Sequence, residues 1–143
     1  MVDLAEMRRL MRQLPRKLRA IDDAMAKATN ITPSMSWMPH GSGVHSKTED
    51  GALDVIAAKE AYHDIIKSLD EMGNELEPYI DRIDDYAVRV CVRLRYICRL
   101  SYYDDKFTNT VGYVPMTCYR KIQKGERIIE RMIEDESRDA KYE

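Results

Sequence analysis

Six side chains towards the C-terminal end of the sequence are of the types that proteins use to recognise DNA. They lie within residues 116–124 and are Met116, Thr117, Tyr119, Arg120, Gln123 and Lys124. Arginine can form two hydrogen bonds with guanine and glutamine can do the same with adenine. Threonine, tyrosine and lysine more often bind phosphates. The alternative interpretation is that these side chains form the solvated face of a surface helix.

The distribution of charge favours the first interpretation. The whole chain has a net charge of -2, but residues 89–131 hold ten basic and four acidic side chains. Residues 1–88 hold eleven basic and sixteen acidic side chains, and residues 132–143 hold two and five. Phosphates respond mainly to charges within a Debye length of ~8 Å, so the local excess matters more than the total. Arg93, Arg95 and Arg99 belong to this basic segment, and we expect them to contact backbone phosphates.

The same segment has the helix signals of a helix-turn-helix unit. A helix is predicted over about residues 84–99, and Ser101-x-x-Asp104 is a capping pattern that predicts the start of a short helix. Gly112 permits a tight turn, and Pro115 suits the first turn of a further, basic helix. In a helix-turn-helix unit the first residues of that last helix contact base edges in the major groove.

The N-terminal half predicts two long amphipathic helices. Apolar residues recur at alternating intervals of three and four in residues 4–25 and again in residues 55–76. This spacing is typical of helices that pack along a seam. Pro15 predicts a kink or a break in the first helix, and Pro78 is expected to end or bend the second. Two such helices predict an antiparallel hairpin or a dimeric bundle of hairpins.

A long connection is predicted between these helices. Residues 29–50 are rich in proline, glycine and hydroxyl side chains, which favour turns and loops. Ser46 and Glu49 form a capping pattern, so the second helix is expected to begin near residues 46–50. The sequence thus predicts an all-α protein. Its predicted parts are a helical hairpin or coiled coil over residues 1–84, a helix-turn-helix domain over residues 85–135 and an acidic tail over residues 136–143.

Other chemistries have little support in the sequence. There is no phosphate-binding loop motif and no motif that frames a nucleophile, so we expect no enzyme. His40 and His45 lack further ligands at suitable spacing, and we expect no metal and no cofactor. The three cysteines, Cys91, Cys98 and Cys118, are predicted to be small buried apolar residues. Without a signal peptide or an apolar run of roughly 18 residues, the chain is predicted to be cytoplasmic and to have no membrane partner.

Several short matches mark a resemblance to a known family. They are Arg95-Tyr96-Ile97, Leu100-Ser101, Gly112-Tyr113 and Tyr119-Arg120. In this order they resemble region 4 of sigma-70-type factors and, more closely, the sigma-like ArpU/RinA-type regulators of Gram-positive phages and prophages. Residues 26–60 resemble a related, uncharacterised prophage family. The resemblance implies a phage-type transcriptional regulator that binds double-stranded promoter DNA through the helix beginning near Pro115. It allows for a contact with host RNA polymerase and a homodimer through the N-terminal helices.

The sequence also departs from the family pattern. Residues 102–107 replace the family's Trp-x-Glu-Ile-Ala, and Val114 stands where a serine cap is usual. Asp104 and Asp105 place negative charge beside the proposed DNA face. The alternative function is therefore a non-enzymatic protein-interaction module that binds RNA polymerase or another host factor through a degenerate helix-turn-helix. A purely structural coiled-coil oligomer is a third hypothesis.

Overall fold

The computed structural model describes residues 2–30 and 41–142, with the side chains of residues 30 and 41–50 left outside that description. The described residues form five α-helices and no strand, which confirms the all-α prediction. The helices are α1 (Leu4–Asn30), α2 (Gly41–Asp81), α3 (Tyr86–Tyr96), α4 (Asp105–Val111) and α5 (Pro115–Tyr142). None of these described helices combines the length and apolarity needed to span a membrane.

The second N-terminal helix is longer than the sequence predicts, and the first continues through its proline. Pro15 lies inside α1 and Pro78 lies inside α2, so neither proline ends its helix. A proline removes one backbone hydrogen bond, a loss that the long helix on both sides of Pro15 can tolerate, whereas α2 ends at Asp81, three residues after Pro78. α2 begins at Gly41, inside the predicted 29–50 connection. Residues 31–40 of that connection, and the side chains of the predicted cap Ser46 and Glu49, lie outside the described residues.

The C-terminal helix is also longer than predicted. α5 continues to Tyr142, so the segment predicted to be an acidic tail from residue 136 is helical up to that point. Arg138 forms salt bridges with Glu134 and Asp135, with N–O distances of 3.8 and 3.7 Å. Pairs at these intervals lie on one side of a helix and stabilise it slightly. No glycine or proline interrupts the sequence after Gly125, so nothing in this stretch favours an earlier helix end.

Contacts divide the chain into two compact units. The first consists of Met1–Met7 and Leu69–Glu143, and the second of Arg8–Ser68. In the second unit the end of α1 lies beside the early part of α2, as in an antiparallel hairpin. A Cβ atom added to Gly51 would lie 3.4 Å from the Cα atom of Ala28.

Part of the predicted apolar seam in the second unit is exposed. Met11 is buried, but Leu18 and Met25 of α1 each keep 47% of their surface exposed. The exposed apolar residues of α2, Leu53 and Ile56, lie outside its predicted seam, whose residues are half-buried or buried. The seam of α1 is therefore buried near its beginning and open towards its end.

The core of the first unit lies around α3. α3 contacts both α4 and α5. Its buried residues are Val88, Cys91, Val92 and Tyr96. Phe107 of α4 and Ile129 of α5 are completely buried, as are Leu76 and Ile80 from the end of α2. Burying one such side chain contributes roughly 1.5–3 kcal/mol, so this cluster fixes the positions of the three C-terminal helices.

A polar network joins the end of α2 to α5 within the same unit. The Tyr79 hydroxyl donates to Oε2 of Glu136 at 2.6 Å, and Arg82 donates to Oε1 of the same carboxylate at 2.9 Å. The hydrogen bond from Tyr79, followed by that from Arg82, lowers the pKa of Glu136. The same bond raises the pKa of Tyr79. Glu136 thus links the C-terminal part of α5 to the end of α2, although the sequence predicted that this residue lies in a tail.

Candidate nucleic-acid interface

The turn between α4 and α5 is built by three local signals. Asp104 is the N-cap of α4 and accepts a hydrogen bond from the Lys106 amide at 2.9 Å. Gly112 ends the helix in the left-handed conformation at φ 76°, where its amide donates to the Thr108 carbonyl at 2.8 Å. α5 then begins at Pro115, which lacks the amide hydrogen that a first-turn residue leaves unbonded. The predicted stop at Gly112 and start at Pro115 are confirmed.

The predicted cap of the short helix lies three residues away from the observed one. Ser101 was expected to begin α4, but Asp104 occupies the N-cap position. The Ser101 hydroxyl instead accepts from the Tyr103 amide at 3.3 Å. Aspartate and serine are equally good caps, and residues 101–103 form a separate turn in which the Asp104 amide donates to the Ser101 carbonyl at 2.9 Å. One of the two acidic residues beside the proposed DNA face is therefore used for capping.

Replacing Gly112 with alanine should destabilise the turn. A Cβ atom would meet nothing within 4 Å there, so the cost comes from the backbone angle alone. A left-handed conformation costs an ordinary L-residue roughly 1–2 kcal/mol, and we expect the free energy of unfolding to fall by about that amount. Urea denaturation followed by circular dichroism measures it. Gly112→Asn should cost less, because asparagine tolerates this conformation better; equal losses for the two variants would contradict the backbone explanation.

The packing of α3 against α5 sets which side of α5 faces outwards. Gly125 lies so close to α3 that an added Cβ atom would be 2.2 Å from Cγ2 of Val92 and 3.0 Å from Cγ1 of Val88. Cys118, Ile122 and Ile129 are buried on the same side of α5 as Gly125. With 3.6 residues per turn, residues 116, 120, 123 and 127 lie on the opposite side of the helix.

The outward side of α5 carries an exposed basic row. Arg120, Lys124 and Arg127 are all exposed, and Met116, one turn before Arg120, is 56% exposed. Thr117 and Gln123 are half-buried. The structure therefore brings the six predicted residues of α5 together in its first three turns. We call Met116, Arg120, Gln123, Lys124 and Arg127 the outward face of α5.

Charge changes sign along α5. Residues 115–127 hold four basic side chains and one acidic side chain, whereas residues 128–142 hold three basic and five acidic ones. The single acid in the first part, Glu126, accepts a hydrogen bond from the Tyr96 hydroxyl at 3.0 Å. Residues 115–127 of α5 are thus suited to phosphates, and residues 128–142 would repel them.

Aromatic rings flank the outward face at its beginning. The ring of Tyr119 lies 5.4 Å from that of Tyr102, which in turn lies 4.5 Å from Tyr103. Gln123 donates its Nε2 hydrogen to the Tyr119 hydroxyl at 2.7 Å. Lys121 lies over the ring of Tyr113, with its Nζ atom 5.6 Å from the centroid. These contacts hold Gln123 and Tyr119 in position relative to Arg120.

Lys124 has one acidic neighbour on α3. Its Nζ atom lies 3.8 Å from the carboxylate of Asp85, and both side chains are largely open to solvent. Asp85 is the N-cap of α3, and backbone hydrogen bonds, first that from Val88, lower its pKa. An exposed pair at this distance is weak, so Lys124 can exchange Asp85 for a phosphate at little cost.

The three predicted phosphate-binding arginines outside α5 are engaged within the protein. Arg93 forms a salt bridge with Asp81, and Arg99 forms one with Asp70. Arg95 donates to the Leu100 carbonyl at 3.4 Å. Their predicted role in phosphate binding stays a prediction, and it requires each guanidinium group to leave or share its present partner.

Arg99 also has a special backbone conformation. Its φ of 58° is left-handed, which is unusual for a residue with a side chain. This conformation reverses the chain after α3 and lets the Leu100 amide donate to the Leu94 carbonyl at 3.0 Å. The link from Arg99 to Asp70 therefore holds the loop before α4 against the end part of α2.

Two of the cysteines pack between α3 and α5, but the third does not. Cys91 and Cys118 are buried, as predicted, whereas Cys98 is exposed because it follows the end of α3 in the turn. Burial raises the pKa of the Cys91 thiol to about 11 and also raises that of Cys118. Both thiols stay protonated at neutral pH and behave as packing groups. Within residues 2–30 and 41–142, no group of three or more potential ligands is placed to hold a metal ion.

Compared with known proteins, the chain matches no family model, no curated protein and no solved structure. The functional interpretation consequently depends on the geometry described above and on the resemblance noted from the sequence.

The structure adds to the site two residues that the sequence analysis did not assign to it. Arg127 follows Arg120 by seven positions and is exposed on the same side of α5. That interval is itself a sequence signal, because residues seven apart share a helix face. Val114, immediately before α5, is 66% exposed. The exposure of Val114 depends on how the turn before α5 packs, and the spacing of residues in the sequence does not predict that packing.

Proposed function

We propose that this protein is a phage-type transcriptional regulator that binds promoter DNA by placing the first half of α5 in the major groove. The observation that carries the proposal is the outward face of α5, whose basic side chains are exposed on a helix that packs closely against α3 at Gly125. It directly follows a short helix and a left-handed glycine turn, the order expected for a helix-turn-helix unit. In this proposal Arg120 and Gln123 contact base edges, and Thr117, Tyr119, Lys124 and Arg127 bind phosphates.

The N-terminal helices support a homodimer as part of this proposal. Leu18 and Met25 on α1, with Leu53 and Ile56 on α2, expose apolar surface in the second compact unit. A two-helix hairpin that leaves such residues open can bury them against a second copy. A dimer would present two copies of α5 and would favour a palindromic site.

Selection of bound sequences from a pool of random DNA duplexes tests the proposal. The purified protein should enrich a common motif over successive rounds, and a palindromic motif would indicate binding by a dimer. A pool that remains random, with protein that is folded by circular dichroism, would overturn the DNA-binding function.

A protein-interaction module is the second candidate function. It is favoured by the exposure of Tyr103, at 70%, and of Val114. It is also favoured by the three arginines that already have partners within the chain. Co-sedimentation with purified bacterial RNA polymerase tests it. Binding of the polymerase that persists in the Arg120→Ala, Lys124→Ala double variant, together with a failed DNA selection, would favour this function.

A further inference from the structure

Two exposed apolar side chains lie at the N-terminal end of α5. Val114 is 66% exposed and Met116 is 56% exposed, and they flank Pro115 at the start of the helix. In a helix that enters the major groove, residues at this end approach the base edges most closely. An exposed apolar side chain at that place has one distinctive group to recognise in the groove, the C5-methyl group of thymine.

We infer that Val114 and Met116 recognise thymine methyl groups, so that the DNA target carries thymine beneath the N-terminal end of α5. The inference rests on the proposed function and adds a base preference to it. Guanine presents hydrogen-bond acceptors in the groove, and adenine and cytosine present an amino group, whereas Val114 and Met116 have apolar side chains that suit a methyl group.

The spacing on α5 also relates this thymine to a second base. Met116 and Arg120 are four residues apart, which is roughly 6 Å along the helix axis. Successive base pairs are about 3.4 Å apart. Arg120 is exposed and suited to guanine, so the thymine is expected one or two base pairs from a guanine.

Replacing single thymines by deoxyuridine in the selected duplex tests the inference, because this change removes only the methyl group. At the thymine one or two base pairs from the guanine, the replacement should weaken binding about fourfold, the effect of losing one buried methyl-sized group. Fluorescence anisotropy titration measures the change. In the Met116→Ala, Val114→Ala variant the same replacement should have no effect, because the apolar contact has already been lost.

The matched control is Tyr142→Ala, which removes an apolar side chain that is 91% exposed at the other end of α5. This variant should retain the full sensitivity to deoxyuridine. Tight binding that is insensitive to deoxyuridine at every thymine would overturn the inference and leave the proposed function standing. A protein that binds no duplex at all would overturn both.

Discussion

Replacing Arg120 and Lys124 together with alanine is expected to weaken binding to the selected duplex by roughly 10- to 100-fold. A bidentate arginine–guanine contact discriminates by about 1–3 kcal/mol, and that contact would account for most of the loss. Lys124 adds a phosphate contact, so its removal should also reduce the salt slope of binding by about one unit. Both side chains are exposed, and the only pair between them and α3 within the described residues is the weak, exposed one between Lys124 and Asp85, so the fold should be retained. Anisotropy titrations at two salt concentrations measure both effects.

The same helix offers a matched control for this double variant. Arg138 and Lys141 are also exposed residues of α5, but they lie in its acidic second half. The only salt bridges of Arg138 within the described part of the chain join it to Glu134 and Asp135 of the same helix. Arg138→Ala with Lys141→Ala removes the same two residue types and should leave DNA affinity unchanged within about twofold. If both double variants bind DNA equally weakly, α5 contributes only non-specific electrostatic attraction to DNA, and the proposed contact of Arg120 with a base is wrong.

Gly125→Ala is expected to lower the free energy of unfolding by about 1–3 kcal/mol, the usual cost of overpacking a core. Alanine favours a helix over glycine by about 1 kcal/mol. A net loss of stability in this variant would therefore have to come from the close packing of α3 against α5. The added methyl group would lie 2.2 Å from Cγ2 of Val92, so Val92 or one of the two helices would have to shift. Chemical denaturation monitored by circular dichroism gives the change.

Two further variants make this test specific. Gly73 is also a buried helical glycine, but a Cβ atom there would lie 3.5 Å from Cδ1 of Ile97, an ordinary contact. Gly73→Ala should therefore be neutral or stabilising by up to about 1 kcal/mol. Adding Val92→Ala to Gly125→Ala should recover part of the lost stability, because it removes the atom in conflict. Equal effects of Gly73→Ala and Gly125→Ala would contradict the close approach of α3 and α5.

The elements that depend on local signals were the ones that the sequence predicted well. Gly112 and Pro115 act through their own backbone preferences, so the end of α4 and the start of α5 could be placed from residue types alone. The choice of Asp104 over Ser101 as the cap of α4 could not be predicted, because both residues are good caps and the turn between them decides.

Features that depend on tertiary packing could not be predicted from the sequence. The sequence around Gly125 does not show that α3 packs against this residue, because glycine can occur inside a helix for several reasons. Arg93 and Arg99 had the residue type and charge of phosphate ligands, but their salt bridges to Asp81 and Asp70 join residues distant in sequence. Pro15 does not end α1, because helix continues on both sides of it, and α2 ends at Asp81, three residues after Pro78; the predicted kink at Pro15 and bend at Pro78 stay predictions.

The central claim is that the basic first half of α5 binds duplex DNA through its phosphates as well as its bases. The most direct measurement is the dependence of wild-type affinity for the selected duplex on salt concentration. Phosphate binding by Lys124 and Arg127, at roughly 0.9 per contact, predicts a slope of log K against log salt of about -2. A slope near zero, or no binding to any duplex at low salt, would contradict the claim.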